Sequence, residues 1–108
     1  MSPAKRKIKG KMNGTEERFA FFLDSEIKAG HILSYKYEAV TLKLAPKTTY
    51  CPDFMVIRPD CIEFIEIKGG MITDIGRAKF KIAAEIYPWF VWRMIQWKGK
   101  KWTEILTL

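Results

Sequence analysis

The stretch "YCPDFMVIRPDCIEFIEIKGG", Tyr50 to Gly70, constrains this chain more than any other. Two β-rich runs, Phe54 to Ile57 and Ile62 to Lys68, flank "RPDC", and Pro59 has the fixed φ that suits the second position of a turn. Antiparallel pairing of the two runs follows. Alternation in the returning strand puts Ile62, Phe64, Glu66 and Lys68 on one face and Glu63, Ile65 and Ile67 on the other. Both faces are mostly apolar, so this strand is expected to be covered on both sides. Glu66 and Lys68 enter that zone together, and Asp53 stands at the start of the first strand. A carboxylate in such a place is costly unless it is paired or bound to a cation. A Glu66–Lys68 ion pair is the simplest structural answer.

The flanking sequence supplies the rest of the layers. A helix is predicted from Thr15, read as its N-cap, to Lys28, with Glu16 and Glu17 in the first turn and Gly30 as the stop signal. Phe19, Leu23 and Ile27 form its apolar stripe. At 3.6 residues per turn Glu16 falls on that stripe, while Glu17 falls beside Asp24 and Lys28. The pull of the helix dipole on acids explains both residues in the first turn, but it does not prefer the inward face. A strand is predicted over Leu33 to Leu44, ended by Pro46, and "PKTTYCP" reads as a loop. A second helix runs from Asp74 to Tyr87 before Pro88, with Ile75, Ile82 and Ile86 as its stripe and Lys79 within it. The run "WFVWRMIQW", the basic turn "KGKK" and the strand "WTEIL" complete the chain, with most tryptophans expected in the core. One or two of them near "KGKK" are placed to stack on bases.

With 108 residues and 48% apolar content, the chain suits one domain, read as residues 13–108 behind a basic arm over 1–12. The formal net charge of +7 favours a polyanionic partner, against the plain alternative of a solubilising surface. Lys5, Arg6 and Lys7 make the arm either a frayed terminus or a phosphate contact. No apolar run approaches the length of a membrane span, and the basic start lacks the apolar segment of a signal peptide. Cys51 and Cys61 are expected as reduced thiols of a cytoplasmic protein, and with the lone His31 they are wrongly spaced for structural zinc.

Glu16, Asp53, Glu66 and Lys68 are thus expected to point at one spot. Three carboxylates without matching cations suit a metal, and hard oxygen ligands select Mg²⁺ or Mn²⁺. Asp53 and Glu66 are the candidate direct ligands, with the carbonyl of Ile67 as a further oxygen and Glu16 completing the acidic set. Water bound to such a cation is a better nucleophile, and Lys68 beside it stabilises charge growing on a phosphate.

At these residues the sequence resembles a known superfamily. "PDF" at 52–54 followed by "EIK" at 66–68 is similar to the PD-(D/E)XK nuclease core. The succession "TEERFAFFL", "YKYEAVTLKLA", "TYCPDFMVI", "IEFIEIKGG", "GRAKFKIAAEIYP" and "FVWRMI" resembles the small phage-encoded endonucleases of that superfamily, akin to endonuclease I-type Holliday-junction resolvases. The likeness spans Thr15 to Ile95. It implies an α/β fold with a restriction-endonuclease-like core, a central mixed β-sheet flanked by helices. It also implies a metal-dependent phosphodiesterase in which Asp53, Glu66 and Lys68 are catalytic. The acidic residue of the family's first helix maps onto Glu16 or Glu17, and the helical wheel selects Glu16. Lys79 matches a basic position expected to contact the scissile strand, and Arg77 and Lys81 on the same helix join it as candidate nucleic-acid contacts. The implied partner is DNA, branched or junction DNA in phage DNA processing. A homodimer is implied too, because paired cuts need two sites and one chain offers one. A nicking nuclease without junction preference, a non-catalytic DNA-binding protein on the same fold, and a small protein whose charges are only ion pairs are the competing readings.

Overall fold

The computed structural model describes residues 10–108, and everything below concerns those residues. The chain forms an α/β protein of two helices, a mixed five-stranded sheet and a separate hairpin. In chain order these are α1 (Gly14–Lys28), β1 (Ser34–Tyr37), β2 (Leu42–Ala45), β3 (Thr48–Tyr50), β4 (Phe54–Ile57), β5 (Ile62–Lys68), α2 (Asp74–Ile86), β6 (Val91–Lys98) and β7 (Lys101–Thr107). The large sheet has the order β1-β4-β5-β6-β7. Its pairings are antiparallel except β5 with β6, which run parallel because α2 carries the chain back across the sheet. The expected hairpin is present, with Phe54 opposite Ile65 and Ile57 opposite Ile62. β5 is the middle strand, and its alternation feeds two cores.

One core lies under α1, where Phe19, Ala20 and Leu23 pack on Phe54, Val56, Ile65, Ile67 and Ile95. The other lies under α2, where Phe80 and Ala83 pack on Phe64, Trp92 and Met94. Burying large apolar and aromatic side chains on both sides is the main force holding the layers together. Among the described residues no helix is long and apolar enough to cross a membrane. Gly10, Lys11 and Met12, which the sequence assigns to the arm, are attached to the domain: the Gly10 amide donates to Glu38 and Met12 packs against the first core.

Four local expectations are corrected. The N-cap of α1 is Asn13, not Thr15: its side chain accepts from the Glu16 amide at 2.8 Å while Glu16 accepts from the Asn13 amide at 2.9 Å, a reciprocal capping box. The single strand over Leu33 to Leu44 is broken at Glu38, whose φ of 46° is left-handed. The Glu38 amide donates to the Asp53 carbonyl at 2.8 Å, which ends the β1–β4 ladder and turns the chain away. The loop "PKTTYCP" contains β3, folded back on β2 by a turn at Pro46 and Lys47, with Lys47 at φ 64°. The fourth correction concerns α2. Ile75, Ile82 and Ile86 are 75%, 44% and 39% exposed, and the helix buries Phe80 and Ala83 instead. Shape decides this: the small Ala83 is fully buried against the sheet, and Phe80 packs edge-on against Trp92.

Candidate functional site

The residues of interest gather at the carboxyl end of β5. Pro52 ends the approach to β4, and the Asp53 side chain then takes over a position in the ladder: its Oδ2 accepts the Ile67 backbone N–H at 2.8 Å. That bond fixes the carboxylate across from Glu66, because the register sets Phe54 opposite Ile65 in an antiparallel pair. Glu66 and Lys68 alternate onto the α2 side of β5 with Phe64. Glu66 Oε2 lies 3.2 Å from Lys68 Nζ, so the ion pair expected from the sequence forms. Glu66 Oε1 accepts from the Tyr50 hydroxyl at 2.6 Å. Burial pushes the Tyr50 hydroxyl far above its ordinary pKa, and the charges of Glu66 and Asp53 add to the rise. Tyr50 therefore remains a proton donor to Glu66.

Two helix starts close on this end of the sheet. A Cβ on Gly69 would stand 2.7 Å from Thr15 Oγ1, so a side chain at 69 would collide with the first turn of α1. A Cβ on Gly76 would stand 3.6 Å from Lys68 Nζ, which brings the first turn of α2 to the lysine. Gln96, directly beside Lys68 in the parallel register, donates from Nε2 to the Gly70 carbonyl at 2.7 Å. The end of β5 is thereby held by both neighbouring layers.

Glu16 faces inward as the helical wheel requires, with 2% exposure. Its Oε1 accepts from the Tyr37 hydroxyl at 2.9 Å as well as from the Asn13 amide. Glu17 is exposed. Among the described residues no group of three or more His, Cys, Asp or Glu side chains is placed to hold a metal ion. The expected convergence of three carboxylates is therefore not found: Glu16 sits in its cap and on Tyr37, leaving Asp53 and Glu66 as the acidic pair. Arg77, Lys79 and Lys81 are all exposed, so Lys79 does not look inward. Lys5, Arg6 and Lys7 lie outside the described residues.

A second charged cluster occupies the opposite end of β5. Glu63, 6% exposed, meets Arg58 Nε at 2.6 Å and Arg93 at 3.4 Å, and Arg93 Nε also donates to Glu104 at 2.7 Å. Two arginines for two glutamates make this a structural network beside a cavity of about 180 Å³ under α1. Glu66, by contrast, is met by one lysine and a neutral phenol.

Sequence reasoning missed Tyr50, Tyr37, Gly69 and Gln96. A signal for the tyrosines existed: a hydroxyl carried into a packed layer needs a polar partner, and Glu16 and Glu66 are acceptors expected in the same layers.

The fold and site together define an α/β protein whose central strand ends in a carboxylate–lysine cluster between two helix starts. Compared with known proteins, the chain matches no family model, no curated protein and no solved structure.

Proposed function

We propose that the chain is a Mg²⁺- or Mn²⁺-dependent DNA endonuclease of the PD-(D/E)XK type, acting on branched or junction DNA. The observation that carries the reading is the hydrogen bond from the Ile67 N–H to Asp53, which ties the "PD" segment to the "EIK" strand and sets Asp53 beside Glu66 and Lys68. The two-helix, mixed-sheet architecture supports it, since the resemblance implies a mixed sheet flanked by helices. The donor chemistry fits a hard cation held by two carboxylates: Asp53 and Glu66 would hold it with the Ile67 carbonyl, and Mg²⁺ ordinarily keeps several waters beside one or two carboxylates. When bound, such a cation supplies Lewis acidity and lowers the pKa of water. The Ile67 N–H fixes the Asp53 carboxylate, Tyr50 fixes one oxygen of Glu66, and Lys68 holds a positive charge where phosphate negative charge would grow. Glu16 supports the site through the seat of α1 and is not a ligand in this reading. Paired cuts across a junction call for a homodimer in the cytoplasm of the host cell.

One observation favours a second reading. Lys68 and Tyr50 already satisfy both oxygens of Glu66, as they would in a nucleic-acid-binding protein that performs no chemistry. Cleavage of a four-way junction, a linear duplex and single strands, with Mg²⁺ or EDTA and with Glu66→Ala as control, separates the two. Metal-dependent paired cuts at the junction that vanish in the variant are expected. Folded protein that binds DNA and cuts none of the three would sink the nuclease reading.

A further inference from the structure

The tip of the β6–β7 hairpin carries three lysines in an arrangement that costs the fold stability. Lys98 stands directly opposite Lys101, a like-charge cross-strand pair, and such pairs are destabilising. Between them Gly99 and Lys100 form a two-residue turn with φ of 61° and 58°. Positive φ at both turn positions is the primed geometry that matches strand twist, and position 100 would favour glycine or asparagine over lysine. All three lysines are exposed, and among the described residues none makes an ion pair with a carboxylate. Among the described residues no carboxylate ion pair offsets the charge repulsion.

The parallel pairing of β5 and β6 decides where this tip lies. Lys68 is opposite Gln96, so both strands end on the same side of the sheet, and the turn extends outward from Lys68. Alternation places Lys98 and Lys101 on the face that Lys68 and Gln96 share, two residues or roughly 7 Å further along β6 from Gln96. On the other face Arg18 of α1 stacks on Trp97, 4.5 Å from the ring centroid, and Trp97 rests on Trp102, which braces the base of the hairpin.

We infer that the β6–β7 turn is a docking site for the phosphate backbone of nucleic acid, gripping the strand beside the Asp53–Glu66–Lys68 cluster. The inference rests on the nucleic-acid part of the proposed function. A tight two-residue turn bearing exposed ammonium groups suits phosphates, which are contacted without regard to sequence. A polyanion relieves the Lys98–Lys101 repulsion on binding, which favours the bound state.

The test is the salt dependence of binding of a fluorescent DNA duplex in EDTA, by anisotropy, for the wild type and for Lys98→Gln/Lys100→Gln/Lys101→Gln. Loss of three phosphate contacts is expected to flatten the slope of log K against log salt by about 2 to 3. Circular dichroism melting checks the fold. Should the triple variant not fold, Lys100→Asn keeps the turn geometry, and it is expected to flatten the slope by about 1. An unchanged slope in a folded variant overturns the docking site. Cleavage with an unchanged slope leaves the nuclease reading standing without it. A flattened slope with no cleavage in Mg²⁺ keeps the docking site and discards the nuclease. Wild-type protein that binds no DNA overturns both.

Discussion

The two helices cover opposite faces of one sheet but are held by different forces. α1 is joined by apolar packing and by hydroxyls from β1: Tyr37 donates to Glu16, and Tyr35 donates to Asp24 at 2.7 Å. Along its length α2 is joined by packing of Phe80 and Ala83 on an aromatic layer of Phe64, Phe90 and Trp92. Its polar ties lie at the C-cap, where the Tyr87 hydroxyl donates to the Lys43 carbonyl at 2.8 Å and Trp92 Nε1 donates to the Tyr87 carbonyl at 2.9 Å. Polar contacts help select one helix face, because a hydroxyl and a carboxylate must meet at a set distance. Packing alone selects the face whose shape fits. α2 offers two apolar faces, and the one with the larger aliphatic residues stays in solvent.

The largest expected effect breaks the packing half of that comparison. Phe80→Ala is expected to lower stability by about 3–5 kcal/mol in urea unfolding, while Ile82→Ala lowers it by less than about 1 kcal/mol. Equal losses would mean that the isoleucine face is buried in solution. Glu16→Ala comes next, with an expected loss of about 1–3 kcal/mol from the half-buried Tyr37 hydroxyl and the opened capping box. Glu17→Ala, at an exposed position, is expected to change stability by less than about 0.5 kcal/mol. Similar effects of the two would show that Glu16 does not seat α1.

The smallest effect sharpens the polar half. Burial pushes the Tyr35 hydroxyl up to about 12, helped by its bond to Asp24 and that residue's charge. A raised folded-state pKa gives stability that is fully present below the unfolded value near 10 and is lost as pH rises through about 12. Tyr35→Phe is expected to cost about 1 kcal/mol at neutral pH and to remove that alkaline loss. Stability curves of the wild type and variant that stay parallel up to high pH would show that this hydroxyl does not tether α1.

The same contrast explains what could be read from the sequence. β4, its turn, β5 and the inward turn of Glu16 were legible because each rests on local pattern: alternation, a proline in a turn, or helical spacing. The face of α2 was not, since Ile75, Ile82 and Ile86 keep the ideal period while the buried face shows only Phe80 and the small Ala83. The break at Glu38 was also hidden, because a left-handed glutamate held by the Asp53 carbonyl is a long-range event inside a β-rich run. At the site, the sequence groups Glu16, Asp53, Glu66 and Lys68; the structure ties Asp53 to Ile67 and pairs Glu66 with Lys68, and Glu16 accepts from Tyr37 and from the Asn13 amide. The wheel reports which way a side chain points and not what it meets. Tyr50 escaped notice because its two flanking prolines, Pro46 and Pro52, disguise a three-residue strand as loop.

The hydrogen bond between Asp53 and Ile67 also bears on the order of assembly. These residues lie only 14 positions apart and belong to one hairpin, so the chain closes that loop at small entropic cost. The β5–β6 pairing must wait for the whole of α2 to cross the sheet, and non-local pairing of that kind is slow. The acidic pair is thus specified within one sequence-local hairpin. The lysine-rich turn, by contrast, is brought to its side only through the non-local β5–β6 pairing.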